Sequence, residues 1–180
     1  LHVPLQSGDD EILHGMNRRY TVKEYADWVC HAARKIPDVC IGTDLMVGFP
    51  GESEQQFDNT RSVVADLPLA YFHVFSYSTR PGTAAIRMDN RVPAKAIKAR
   101  SKNLSELSRG KRADFYRQFV DRRLSVLFES SESAGWWSGL TDNYIRVRVP
   151  STTVLSNEIH TVQITGAMGE AALGHVIADE

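Results

Sequence analysis

Over residues 1–70 short apolar runs alternate with stretches of helical period, and beyond Arg123 that alternation stops. The change of period constrains the fold most strongly, because strands alternating with helices build parallel βαβ units, whereas short strands between turns build sandwiches and barrels. In the first part the Ser7-Gly8 turn leads into a helix expected over 9–16. Thr21 and Glu24 form a capping box that opens a helix running to about Lys35, with Tyr25, Trp28, Val29 and Ala32 on one face, and Pro37 ends it. Residues 39–47 are apolar enough for a strand covered on both faces, with Asp44 the exception. Gly48-Phe49-Pro50-Gly51 breaks that strand, and a second capping box, Ser53 with Gln56, starts a helix to about Asp66 that turns Phe57 and Val64 inward. Residues 69–77 read as the next strand and Arg80-Pro81-Gly82-Thr83 as a turn. Pro93 opens a long helix to about Asp121.

Beyond it, residues 124–129, 137–140, 144–149, 159–164 and 173–177 are five strand-like runs between Gly, Ser, Asn and Asp turns. That spacing predicts a small antiparallel barrel of the oligonucleotide-binding type. The expected fold is α/β, a partial (βα) TIM-like barrel followed by a small all-β, OB-like barrel. The first part takes residues 1–112, the end of the long helix serves as a linker over 113–123, and the barrel takes 124–180. At 180 residues the chain is shorter than the roughly 250 of a complete (β/α)8 barrel.

Composition narrows the function classes. With 42% hydrophobic and 24% charged residues and no run of about 20 apolar residues, the chain reads as a soluble globular protein without a membrane partner. Cys30 and Cys40 fit neither a disulfide framework nor a C-x-x-C pair nor a zinc knuckle. They read as thiols in a reducing cytoplasm, and no export signal opposes a cytoplasmic location. No metal site is expected. The net charge of -1 gives no general case for nucleic-acid binding, so any such case needs local patches. Arg146 and Arg148 alternate with Ile145, Val147 and Val149 and should project together from one strand face, near where Arg122 and Arg123 emerge; an ordinary solvated face is the alternative.

Three stretches could carry chemistry. Gln6 and Ser7 end a strand before a Gly turn, at the carboxyl edge where βα proteins bind ligands, although a helix cap would use the same residue types. In residues 43–52 the glycines allow close backbone approach to a ligand, and Glu52 stands just before a helix N-terminus, where its charge is favourable. Asp44 is sharper, since a carboxylate in an apolar strand is costly unless paired. It either faces a polar barrel interior or pairs with Arg18 or Arg19. Along the strand after Pro68, alternation puts His73, Phe75 and Tyr77 on one face and Ser76 and Ser78 on the other, which argues against a hydrolase and for a histidine satisfied within a packed strand.

Taken together, HVPLQSGDDEIL with MNRRYT, TDLMVGFPGES and FHVFSYSTRPGTAA resemble the second half of the radical-SAM domain of tRNA methylthiotransferases. GLTDNYIRVRV and Asn157-Glu158-Ile159 resemble the TRAM domain that closes those enzymes. YSTRPGT and TDNYIRV look most like the branch acting on N6-threonylcarbamoyladenosine at position 37 of tRNA; sister branches act on isopentenyladenosine in tRNA and on a ribosomal protein. The resemblance implies methylthiolation at C2 of the adenine. One S-adenosylmethionine is the source of a 5′-deoxyadenosyl radical that abstracts the C2 hydrogen, another supplies the methyl, and the complete enzyme uses two 4Fe-4S clusters.

The resemblance places Gln6, Ser7, Arg18, Asp44, Gly48, Phe49, Pro50, Gly51 and Glu52 at the S-adenosylmethionine and substrate end of the barrel. It gives the anticodon loop of tRNA as partner, and Arg122, Arg123, Trp136, Trp137, Tyr144, Arg146 and Arg148 as candidates for holding RNA. The C-x-x-x-C-x-x-C triad of radical-SAM enzymes is not found among these residues, so the cluster ligands are expected outside this chain, and the chain alone is expected to be inactive. A tRNA-binding module without catalysis is the alternative reading.

Overall fold

The computed structural model describes residues 1–132 and 135–177, which form two compact units, Leu1–Lys111 and Arg112–Glu180. In the first, α1 (Asp10–Gly15) starts at Asp9, whose carboxylate accepts the Glu11 and Ile12 N–H groups. Helix α2 (Val22–Lys35) and helix α3 (Glu54–Asp66) both begin with complete capping boxes, Thr21 with Glu24 and Ser53 with Gln56. Strands β1 (Gly42–Val47) and β2 (Tyr71–Ser76) pair in parallel, Gly42 opposite Tyr71 through Val47 opposite Ser76. Helix α4 (Ala94–Arg117) follows a short 3-10 turn, Ala84–Arg87.

Residues 1–6 line the other edge of β1, with parallel bridges at His2–Gly42 and Gln6–Leu45. Val3 and Gln6 donate to the Gly42 and Asp44 carbonyls. Between them Pro4 has no N–H to give, and the Leu5 N–H goes to the Thr43 hydroxyl at 2.9 Å, so the ladder is interrupted. Thr43, Leu45 and Val47 face the core that α2, α3 and α4 build with Val29, Phe57, Val64 and Leu104. Of the face expected on α2, Tyr25, Val29 and Ala32 are buried, but Trp28 is 47% exposed. The opposite face of the sheet, with Asp44 and Met46 on β1 and Tyr71, His73 and Phe75 on β2, is open: Phe75 is 51% exposed.

In the second unit β3 (Arg123–Glu132), β4 (Trp136–Thr141), β5 (Arg146–Pro150), β6 (Ile159–Met168) and β7 (Ala171–Val176) close into a five-stranded barrel in the order β3-β4-β5-β7-β6. The expected barrel is there, with one correction: it is not wholly antiparallel. Strand β7 inserts between β6 and β5 and therefore runs parallel to β5, pairing Val147 with Ala172 and Arg148 with Leu173. Val126, Phe128, Trp137, Ile145, Val147, Val149, Val162 and Ile164 are buried in it.

The long helix stops at Arg117 rather than near Asp121, because Asp121 turns to φ 65 and gives its N–H to the Ile164 carbonyl. Tyr144, expected in a strand, instead sits in the β4–β5 turn at φ 64, its N–H bonded to the Thr141 carbonyl. Among the described residues no helix is long and apolar enough to cross a membrane.

Candidate functional site

Two surfaces gather the candidate residues, one in each unit. In the first unit the carboxyl edge of the parallel strands carries Gln6, half-buried and held at φ 74. Left-handed backbone in a residue other than glycine costs energy and persists where its surroundings impose it. Here both ladder bonds impose it, the Gln6 N–H to the Asp44 carbonyl and the Met46 N–H to the Gln6 carbonyl, each 2.8 Å. Ser7 is buried, with its hydroxyl 3.3 Å from that of Thr60, which also accepts the Gly8 N–H at 2.9 Å. Ser7 thus ties the strand to α3.

After β1, Gly48 turns at φ 80 and donates its N–H to the Glu52 carboxylate at 2.7 Å. A Cβ there would stand 2.5 Å from Ile97, so only glycine fits. Phe49 and Pro50 are buried and Gly51 is exposed. Glu52, expected at a helix start where its charge is favourable, is buried beneath the turn. Besides Gly48 it meets Arg100 of α4 at 2.7 Å; that guanidinium also donates to the Glu52 carbonyl at 3.0 Å and to Glu54 at 2.8 Å, and lies 5.3 Å over the Phe57 ring. Burial pushes the Glu52 carboxyl up, against the pull of the Gly48 N–H and Arg100. Glu52 therefore brackets the turn from inside. Arg100 is the counter-charge that lets it do so.

Asp44 has neither Arg18 nor Arg19 as partner. Its Oδ1 lies 3.0 Å from His2 Nε2 and 3.3 Å from His73 Nδ1 on the open sheet face, while Arg18 is exposed. His2 Nδ1 is in turn 3.4 Å from the Tyr71 hydroxyl, and the His2 and His73 rings stack at 5.5 Å. His2 was not among the candidates. The signal that finds it is the pairing of residues 1–6 with β1, which follows only once that segment is placed beside Asp44.

On the barrel, Trp136, Arg146 and Arg148 share the outer face of β4 and β5. Arg148 lies 5.4 Å over the Trp136 ring, and Arg146 donates to the Ser138 hydroxyl at 3.2 Å. Trp137, the next residue, points the other way and is buried in the barrel, which removes it from any RNA-holding face. Tyr144 is 72% exposed, but it lines a groove of about 510 Å³ with Leu127, Ile159, Glu129 and Asp142, an acidic setting. Arg122 stacks 4.7 Å over Phe119, and Arg123 opens β3 opposite Gln163 of β6, so neither belongs to the β4–β5 pair.

Residues 1–64, which supply the 1–6 segment, β1 and the turns that follow them but not β2, match the Radical SAM superfamily. That superfamily implies S-adenosylmethionine and an iron–sulfur cluster as cofactors. The resemblance extends across both units. The chain is 40% identical, over 98% of its length, to a probable threonylcarbamoyladenosine tRNA methylthiotransferase of Methanocaldococcus jannaschii, of which it covers 40%. It is 32% identical over its whole length to the threonylcarbamoyladenosine tRNA methylthiotransferase of Bacillus subtilis, covering 42% of it. A tRNA-2-methylthio-N(6)-dimethylallyladenosine synthase of Ehrlichia canis is 38% identical over 73% of the chain, which covers 30% of that protein. Along nearly its whole length the chain is thus similar to tRNA methylthiotransferases, and it spans about two fifths of the length of these first two relatives.

Proposed function

We propose that this chain is the carboxy-terminal portion of a cytoplasmic enzyme that adds a methylthio group to C2 of N6-threonylcarbamoyladenosine at position 37 of tRNA. The observation that carries this reading is the 40% identity, across nearly the whole chain, to a relative named for that substrate. On this reading the first unit is the later part of a TIM-like barrel whose lumen is the open sheet face. The second unit is a TRAM-like barrel that holds the anticodon loop. In support of the latter, the β4–β5 face of a closed five-stranded barrel is where oligonucleotide-binding folds take their ligands, and it carries Trp136, Arg146 and Arg148.

S-adenosylmethionine, when bound, supplies the methyl group and the precursor of the radical that attacks the base. Of the residues assigned to it, Gln6 and Gly51 present atoms at the rim of the carboxyl edge, and the strained backbone of Gln6 fits a side chain aimed at a ligand. Asp44 and Arg18 are accessible from the open face and the surface respectively. Ser7, Gly48, Phe49, Pro50 and Glu52 are buried and shape the rim from below. The cluster is a different case. Cys30 on α2 and Cys40 ahead of β1 are the only thiols of the chain, and they stand on separate elements without the spacing of a three-thiolate site. They do not fit a cluster, so the two clusters of the complete enzyme draw their ligands from elsewhere.

Mass spectrometry of tRNA nucleosides from cells with the gene disrupted tests the proposal. The expected result is loss of 2-methylthio-N6-threonylcarbamoyladenosine with accumulation of the nucleoside lacking the methylthio group. Loss of the dimethylallyl counterpart instead would assign the sister branch, the one for which the Ehrlichia canis synthase is named. Unchanged levels of both would overturn the proposal.

A further inference from the structure

The open face of the parallel sheet holds a constellation of which the methylthiotransferase reading uses Asp44 and neither histidine. We infer that His2, Asp44 and His73 form a binding site for one divalent transition-metal ion of the zinc class. Each residue comes from a different one of the three adjacent parallel segments, and their donor atoms, one per residue, all lie within 4.8 Å of one another. Two imidazoles and one carboxylate are the donor set that borderline divalent ions prefer, and three protein ligands leave a coordination position for water or substrate.

The spacing about Asp44 fits the ion. Ligand bonds of about 2.0–2.1 Å at a tetrahedral angle put neighbouring donor atoms about 3.3–3.4 Å apart. Asp44 Oδ1 is 3.0 Å from His2 Nε2 and 3.3 Å from His73 Nδ1, so an ion entering between them needs shifts of a few tenths of an ångström on the Asp44 side. The surroundings also orient the first ligand. Metal-binding imidazoles usually engage their second nitrogen in a hydrogen bond that fixes the ring, and His2 Nδ1 faces the Tyr71 hydroxyl at 3.4 Å. Tyr71 reaches that position because Gly42 has no side chain: a Cβ on Gly42 would stand 2.4 Å from Tyr71 Cζ. The glycine, the tyrosine and the histidine thus form one support behind the donor atoms. Asp44 is only partly exposed, and among the described residues its carboxylate is paired with the two imidazoles.

Titration of the 180-residue chain with Zn²⁺ in a calorimeter, and with Co²⁺ followed by visible absorption, tests the site. One ion per chain is expected, with affinity falling at least tenfold in His73→Ala and in Asp44→Ala and about tenfold in Tyr71→Phe, while His31→Ala and His160→Ala leave it unchanged. Absence of saturable binding would overturn the inference, as would binding that survives both His73→Ala and Asp44→Ala. Should those variants fail to fold, the Co²⁺ spectrum of the unaltered chain still decides. Tetrahedral bands without a thiolate charge-transfer band agree with the site, and a thiolate band would move the metal to Cys30 or Cys40 and refute it. None of these readouts depends on the methylthiotransferase reading.

Discussion

Arg100 and Glu52 lie 48 residues apart in the chain and meet at 2.7 Å with both side chains buried. The pair pins α4 beneath the turn that follows β1, at the edge where the proposed cofactor site lies. Removing one member of a buried pair leaves the other uncompensated, typically at 3–5 kcal/mol. Glu54 still holds one guanidinium nitrogen, so Glu52→Gln is expected at the lower end, about 3 kcal/mol by urea unfolding. Arg100→Lys should not recover the loss, because an ammonium cannot reach the Glu52 carbonyl, the Glu52 carboxylate and Glu54 as one planar fork does. A cost below about 1 kcal/mol for Glu52→Gln would mean that burial of the charge already cancels the pair.

Tyr25 gives the first unit a pH limit on the alkaline side. Its hydroxyl donates to the Val3 carbonyl at 2.9 Å, and burial pushes it up to about 12 from 10.0. A phenol raised in the folded state contributes stability that is fully present below pH 10 and lost as pH climbs through 12. A rise from 10.0 to about 12 corresponds to about 3 kcal/mol. The stability difference between the unaltered chain and Tyr25→Phe, measured by urea unfolding from pH 9 upward, should shrink by about that amount. A difference independent of pH would show that Tyr25 ionises as freely folded as unfolded.

Local signals carried the elements, and the lack of them explains the misses. Both capping boxes were legible because each is a contact three residues long. The five strands were legible from turn residues and alternation, but the parallel β5–β7 pair was not, since pairing between distant strands leaves no local mark. The same reason hid the site contacts. Asp44 announced that it needed partners, yet its histidines lie on neighbouring segments 29 or more residues away, and Arg100 reaches Glu52 only because α4 packs on the turn that holds it. Trp137 was misplaced through treating two adjacent tryptophans as one patch, although a strand sends neighbours to opposite faces.

Gly48 tests how rigid the carboxyl edge is. Alanine there would adopt φ 80 and meet Ile97 at 2.5 Å, two separate penalties. Strain of this kind costs about 1–3 kcal/mol and overpacking a similar amount, so Gly48→Ala should lose about 3 kcal/mol in thermal or urea unfolding. Adding Ile97→Ala removes the contact but not the dihedral, so a double-mutant cycle should show favourable coupling of about 1 kcal/mol or more. Strict additivity would mean that the backbone alone makes glycine necessary.

On the barrel, the same logic of faces separates the proposed RNA contacts from residues that fold. Arg146 and Arg148 stand on the outer face of β5 with Trp136 beneath Arg148, whereas Trp137 is core. Binding of a fluorescent anticodon-arm RNA, followed by anisotropy over a range of KCl concentrations, should weaken in Arg146→Ala and Arg148→Ala. Each lost phosphate contact should flatten the log-log salt slope by about 0.7–0.9. Trp136→Ala should weaken binding at every salt concentration by about 1–3 kcal/mol, because stacking on a base is not a counterion effect. Trp137→Ala should lower the unfolding midpoint, since it removes core volume and not an RNA contact. Were the arginine variants to leave both affinity and slope unchanged, the groove at Tyr144 could not take their place, because Glu129 and Asp142 line it and a phosphate backbone would meet like charge there.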